Sequence, residues 1–394
     1  MTYNFDEILD RRRERSKTWD FRTLKPGQLP MNGAETHFAC PAPVKEAVRA
    51  VAEWEVYGYP YFTEDFSNAA AGYMKRRHHW DCDPSWVEFV GGIVPGIAFA
   101  IQAVSQPGDK ILINTPAYDP FRSMIEANER LVEESPLLIT RERVEFDWAD
   151  MEARFRDPRT KAFILCDPHN PTGKSCTRAE LERIAGLAEQ YHVLVIVDEV
   201  HADFVFRGAH ISYPTVSASA LQNSVVVINP SKTFNVAGFR TGAVIVPNEA
   251  LRQKINVKIL AVKGISRTIT GVAAFEACYD GRCDDYADQV CAYVRENEQM
   301  LSSFLAEHIP GIHLIPPDAC FVCWLDCREL GFATQEELMA FFASAGILVT
   351  SGEEFDHHGR GLGFVRMAYA FPRAQLRQAL ERLAEAANHM EKRS

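Results

Sequence analysis

Lys232 lies in the stretch Asn229-Pro230-Ser231-Lys232-Thr233-Phe234-Asn235-Val236-Ala237-Gly238-Phe239-Arg240, directly after an apolar run over residues 225–228. A lysine at a strand end points into a cleft, where loss of hydration lowers its pKa. A neutral amine attacks an aldehyde, and an ammonium does not. Arg240 follows eight residues later, and a guanidinium can clamp a phosphate in a bidentate manner. Alone, a Ser-Lys pair reads as a solvated lysine. The company it keeps along the chain changes that reading.

Three further segments carry polar groups at the ends of apolar runs, where open α/β sheets bind their ligands. Val193-Leu194-Val195-Ile196-Val197-Asp198-Glu199-Val200-His201 ends on an acid. Asp198 is placed either to hold a protonated ring nitrogen or to cap the next helix. Asp167-Pro168-His169-Asn170-Pro171-Thr172-Gly173 presents an amide within a turn signal. Thr115-Pro116-Ala117-Tyr118-Asp119 puts a ring where it could stack on a flat ligand or serve as an ordinary rim tyrosine. Ahead of these, Gly91-Gly92-Ile93-Val94-Pro95-Gly96 leads into an apolar helix over residues 97–104. Backbone N–H groups at such a helix start make an anion cradle.

The elements that must position these groups are legible in the apolar pattern. Strands are expected over residues 111–114, 162–166, 193–197, 225–228 and 243–246. Their near-continuous β-branched runs are those of parallel strands buried on both faces. A helix over Arg178–Tyr191 puts Leu181, Ile184, Leu187 and Ala188 on one face, and Thr177 with Glu180 completes a capping box. The fold class is therefore α/β, a mostly parallel sheet flanked by helices. From about residue 285 the pattern changes. One long helix is expected over residues 285–305, strands over 320–325, 346–350 and 364–367, and helices over 335–345 and 373–390. A large α/β domain over residues 45–285 and a smaller α+β domain built from 1–44 and 286–394 follow.

With 394 residues, 47% hydrophobic and 24% charged, the chain can bury a large core. Its net charge of −11, with no long basic run, argues against nucleic acid as a partner. No apolar run is long enough for a membrane helix. Arg11-Arg12-Arg13, flanked by Asp10 and Glu14, reads as a solvated helix face. Ten cysteines without an export signal read as reduced thiols in a cytoplasmic protein. Cys320, Cys323 and Cys327 fall in an apolar run and read as buried strand residues, so no metal is expected.

Taken together, the phosphate loop, the aromatic, Asn-Pro-Thr-Gly, the strand-end aspartate, Ser-Lys and the later arginine resemble, in that order, the fold-type I pyridoxal-phosphate (PLP) enzymes, the aspartate aminotransferase superfamily. The resemblance covers nearly the whole chain. It implies that Lys232 carries the cofactor aldehyde, Asp198 pairs with the pyridine nitrogen, Asn170 bonds the ring oxygen and Tyr118 stacks on the ring. Arg240, Asn229 and the N–H groups of Ile93 and Val94 would hold the phosphate. Tyr59 would reach the phosphate of a neighbouring subunit and border the substrate, which implies a homodimer. Arg366, in Gly363-Phe364-Val365-Arg366-Met367, would bind the substrate α-carboxylate.

Asp198-Glu199-Val200-His201-Ala202-Asp203 further resembles the cystathionine β-lyase-like C–S lyase subgroup, with His201 beside the cofactor where aminotransferases commonly carry tyrosine. That resemblance implies β-elimination from a cysteine S-conjugate or cystathionine-like amino acid. The subgroup's Trp-Val-Ala-Asp-Met-Asp-Phe entrance segment is here Asn32-Gly33-Ala34-Glu35-Thr36-His37-Phe38. Glu35 and His37 are thus candidate substrate contacts. The change keeps an aminotransferase or a specialised biosynthetic PLP enzyme in play, and a non-catalytic PLP-binding regulator as a third reading.

Overall fold

The computed structural model describes residues 2–60, 63–262 and 267–391. Its main sheet contains β2 (Val87–Val90), β3 (Lys110–Thr115), β4 (Leu131–Ile139), β5 (Val144–Phe146), β6 (Thr160–Cys166), β7 (Leu194–Asp198), β8 (Ser224–Ile228) and β9 (Gly242–Ile245), following the short β1 (Leu29–Pro30). The strand order is β2-β9-β8-β7-β6-β3-β4-β5. The neighbours β8-β7-β6-β3-β4 pair in parallel. β9 runs antiparallel to both β8 and β2. This corrects the parallel reading of residues 243–246: an apolar run reports burial on both faces, not strand direction.

Burial on both faces has a direct cause. Leu112, Phe163, Val195, Val197 and Val226 pack into one apolar cluster, while Ile111, Ile113, Ile164, Ile196, Val225 and Val227 pack into a second. Alternate residues of each strand thus face opposite cores. The helix Ile93–Val104 covers the second face. It begins four residues earlier than the sequence reading placed it. Pro95 falls within its first turn, where a missing N–H costs no helix bond. Gly96 packs flush on the sheet, where a Cβ would lie 3.0 Å from Val244 Cγ1 and 3.1 Å from Val227 Cγ1.

The helix Arg178–Tyr191 starts on the expected capping box, with Thr177 and Glu180 bonded reciprocally. The long helix spans Asp284–His308. Beyond it, β10 (His313–Leu314), β11 (Val322–Asp326), β13 (Thr350–Ser351) and β14 (Phe364–Ala368) form a four-stranded antiparallel sheet in the order β10-β11-β14-β13, and β12 (Ile347–Leu348) pairs in parallel with β1 near the N-terminus. The single strand expected over 346–350 is therefore two short ones that join different sheets. Helices Gln335–Ser344 and Arg373–Glu391 complete this part. Cys320, Cys323 and Cys327 are buried thiols, and Cys323 Sγ donates to Met367 O. No helix among the described residues is long and apolar enough to cross a membrane.

Candidate active site

The carboxyl ends of β6, β7 and β8 open on one side of the sheet, and their following residues converge there. Lys232 follows β8 by four residues. Its Nζ donates to the carbonyl of Ala34 at 2.6 Å. Burial and the nearby Arg366 guanidinium lower the amine's pKa to about 8, against a smaller upward pull from Glu35 and Asp198.

Asp198 closes β7 and is buried. Its Oδ1 accepts from Val200 N at 3.1 Å. Burial raises its carboxyl to about 7, although the Val200 N–H and Lys232 pull the other way. A buried acid in this state favours a cationic partner over solitary ionisation. Tyr118 is half-buried, edge-on to Phe121. Burial, then the charge of Asp198, pushes its phenol up.

Arg366, in the middle of β14, is 6% exposed. It donates to Asn32 O at 2.6 Å, Thr350 Oγ1 at 3.3 Å and Asn170 Oδ1 at 3.3 Å, and its guanidinium lies 4.9 Å from the Phe355 ring centroid. Its Nε is buried without a partner. Among the described residues no carboxylate lies within ion-pair distance of it. Burial lowers its pKa to about 10. A buried guanidinium without an anion is a standing demand for a planar carboxylate.

Asn170, buried after β6, turns its amide oxygen to Arg366. His201 is buried with Nδ1 unpartnered, 5.1 Å from the Phe321 ring. Burial, then Lys232 and Arg366, hold its pKa well below the usual histidine range, so the ring is neutral at pH 7.

Beside Asn229, three residues before Lys232, lies the turn before the helix Ile93–Val104. Gly92 takes φ 138° there, with no side chain capping the helix and no acid in its first turn. The N–H groups of Ile93 and Val94 thus begin a helix whose positive end is uncompensated. Asn229 Nδ2 stands 3.9 Å from where a Gly92 Cβ would be, and its Oδ1 accepts from Ser231 N at 2.7 Å. Arg240 is exposed, in a left-handed conformation at φ 52°, and its side chain makes no ion pair or hydrogen bond among the described residues. Tyr59 is fully exposed. The structure therefore gathers Lys232, Asp198, Tyr118, Asn170, His201 and Arg366 within one chain, and leaves Arg240 and Tyr59 facing outward.

The entrance segment crosses this cleft. Asn32 O is held by Arg366, Ala34 O by Lys232, and the carbonyls of Thr36 and Phe38 by Asn235 Nδ2 at 2.9 Å each. Glu35 is 29% exposed, and its Oε2 lies 4.0 Å from Arg11 Nη2. His37 is buried and stacks on Phe371 at 3.7 Å. Its Nδ1 accepts from Trp19 Nε1 at 2.9 Å and faces Arg11 Nη1 at 3.2 Å. Two donors on Nδ1 place the ring proton on Nε2. Burial and Arg11 keep the ring neutral.

Arg11 corrects the sequence reading of its triplet. Residues 11–13 are not helical, and Arg11 turns inward with its side chain 10% exposed while Arg12 and Arg13 face solvent. Gly33 makes room for this strap, since a Cβ there would meet Thr18 Oγ1 at 2.7 Å. Sequence reasoning missed Arg11, Asn32, Asn235 and Thr350. Asn235, at φ 57°, carried the one available signal, an asparagine three residues past the lysine.

The donor set fits a ligand with an aldehyde, a phosphate and a basic ring nitrogen: an amine of lowered pKa, an uncapped helix start and a buried acid with no ion pair among the described residues. Residues 27–383 match the family model for aminotransferase class I and II. The chain is 30% identical to a cystathionine beta-lyase, PatB, of Bacillus subtilis, over 97% of this chain and 99% of that one. It superposes on cystalysin from Treponema denticola, a structure that contains pyridoxal 5'-phosphate, with TM-score 0.93 and 27% identity, covering 99% and 100% of the two chains. It also matches the PLP-bound C–S lyase of Staphylococcus hominis, with TM-score 0.88 and 26% identity over 98% and 99%. The chain belongs to the class I and II aminotransferase family.

Proposed function

We propose that this protein is a PLP-dependent carbon–sulfur β-lyase acting on a cysteine S-conjugate or cystathionine-like amino acid. The observation that carries the reading is the pairing of a half-buried amine of lowered pKa, Lys232, with a buried guanidinium, Arg366, that has no carboxylate partner among the described residues. An α-amino acid brings the two groups this pair lacks. When bound, PLP supplies an electron sink for the pair left as the Cα–H bond breaks.

Lys232 would hold the cofactor through its aldehyde, and its free amine would take the Cα proton on Nζ. Arg366 grips the α-carboxylate and so orients that Cα–H bond toward the lysine. Asp198 would hold the proton of the ring nitrogen, and Asn170 and Tyr118 would fix the plane of the ring. His201, neutral and buried, would pack beside it. Ile93 N, Val94 N, Asn229 and Arg240 would hold the phosphate, with Tyr59 of the partner subunit. Glu35 would border the substrate entrance; His37, buried on Phe371 with Nδ1 held by Trp19 and Arg11, braces that segment and is not placed as a substrate contact. With sulfur on Cβ, the electron pair from the Cα–H bond would form the Cα=Cβ bond as the thiolate leaves, and water would hydrolyse the released enamine to pyruvate and ammonia.

Exposed Trp54, Val56, Tyr57 and Tyr59 on one short run support a homodimer with shared sites. Ten unpaired cysteines suit a cytoplasmic setting. We read residues 45–285 as the cofactor-holding domain, and 1–44 with 286–394 as the domain that brings Arg366 and the entrance segment to it. The test is pyruvate release from cystathionine by the PLP-loaded chain with no keto acid added. Turnover that appears only on adding a keto acid would assign an aminotransferase instead.

A further inference from the structure

Next to Lys232, joined to it through Thr233, lies a buried polar cluster with no part in the chemistry above. Its centre is Asp203, whose side chain is 6% exposed. Thr233, the residue next to Lys232, donates its hydroxyl to Asp203 Oδ2 at 2.6 Å. The Tyr73 hydroxyl donates to the same oxygen. Arg77 Nε donates to Oδ1 at 2.9 Å, and His78 Nε2 lies 3.6 Å from it. Burial pushes this carboxyl up, but Arg77, His78 and the two hydroxyl bonds outweigh burial and hold it below the usual range. Arg77 continues to Asp284 O at 3.2 Å and Asp288 Oδ1 at 2.9 Å, on the long helix Asp284–His308.

We propose that Asp203, acting through the Thr233 hydroxyl, is a positioning residue that fixes Lys232 in the cleft. The proposal rests on reading Lys232 as the cofactor-bearing amine. Apolar side chains of similar volume often stabilise an interior as well as a buried ion pair does. What an ionised carboxylate adds is direction: its two oxygens fix where the donors sit. Here those donors come from the helix Glu64–His78 and from the lysine loop, and Arg77 ties them to the long helix.

The loop is gripped from both sides. Thr233 is held by Asp203, and Asn235 holds the carbonyls of Thr36 and Phe38. Lys232 leaves the backbone one residue before the first of these grips and reaches Ala34 O. Loss of the Asp203 grip gives the lysine room to leave its desolvated position. A cationic nitrogen regains solvation there, so its proton affinity rises.

The experiment compares Thr233→Val and Thr233→Ser in the PLP-loaded protein. The visible absorbance of the bound cofactor is titrated with pH, and the rate of cofactor release is measured. In Thr233→Val the titration midpoint should rise by about half a unit or more. Release should quicken about tenfold, the scale of one hydrogen bond to a charged group. Thr233→Ser, which keeps the hydroxyl, should behave as wild type, and Asp203→Asn should follow Thr233→Val if it folds. A Thr233→Val protein with a lowered melting temperature but an unmoved midpoint and release rate would show a merely structural role and overturn the proposal. Failure of the wild-type chain to take up PLP in a Lys232-dependent way would instead overturn the functional reading beneath it.

Discussion

Lys232 Nζ donates a 2.6 Å hydrogen bond to the carbonyl of Ala34, 198 positions earlier in the chain. The contact joins the loop after β8 to residues 32–38, so one interaction sets both the Lys232 amine and the segment that crosses beside it. Four influences meet at that nitrogen. Burial and Arg366 favour the neutral amine, Glu35 and Asp198 favour the ammonium, and the balance lies at about 8.

That balance predicts how the cofactor-free chain takes up PLP. The folded pKa is depressed from 10.5, so the neutral amine accumulates as pH rises through about 8. The rate of uptake, followed by visible absorbance, should climb to about pH 8 and then level off. Arg366→Leu removes a cation that lowers the pKa and should move the profile to higher pH. Glu35→Gln removes an anion that raises it and should move the profile to lower pH. A wild-type profile still climbing at about pH 10 would contradict the buried position of this amine.

Asp198 sets a second pH dependence, of opposite origin. Its folded pKa is raised from 3.8 to about 7. Between those values the folded chain holds a proton that the unfolded chain has released. Stability from this group is full below about 4 and falls as pH rises toward 7. Asp198→Asn has no such proton to lose. In the cofactor-free state its melting temperature should gain on that of wild type between about pH 4.5 and 7, with the difference constant above. Parallel curves through that window would place the Asp198 carboxylate in contact with water.

How much of this was legible in sequence depended on whether a feature is local. The capping box at Thr177 and Glu180 needs only residues three apart, and it stands as read. Strand positions were legible because a strand buried on both faces has no polar alternation to interrupt it. The direction of β9 was not, since pattern is symmetric under reversal. The start of the helix at Ile93 was hidden by Pro95 and Gly96, which look like loop residues but suit a first turn and a flush packing contact. Partners distant in sequence left no trace. Nothing in Arg11-Arg12-Arg13 marks the first arginine as the one that turns to His37 and Glu35. Nothing in Asp203 points to Thr233. Such choices are made by the three-dimensional path of the chain, here by the strap that Gly33 lets lie close.

Arg366 should separate binding from cofactor chemistry. Its guanidinium presents a planar fork that an ammonium cannot reproduce. Arg366→Lys should raise KM for the amino acid about tenfold to a hundredfold while bound PLP keeps its absorbance. The bonds to Asn32 O and Thr350 Oγ1 predict some loss of thermal stability as well. An unchanged KM would remove Arg366 from the carboxylate site.

The outward face of Tyr59 leads to a test of shared sites. Tyr59 is fully exposed in the single chain, and Tyr57, Val56 and Trp54 beside it are at least half exposed. A polar tip on such a run suits the proposed second copy of the chain, whose phosphate site it would complete. On the proposed reading, Lys232→Ala should abolish the site of its own subunit and Tyr59→Phe should weaken the site of the partner. In a mixed dimer of the two variants, the subunit with Lys232 intact receives Tyr59 from the other, so one of its two sites is whole. Unfolding and refolding a one-to-one mixture should therefore recover about a quarter of wild-type activity, because half of randomly paired dimers are mixed. Each variant refolded alone sets the baseline. Recovery no greater than the mean of the two baselines would mean that Tyr59 serves its own subunit or none.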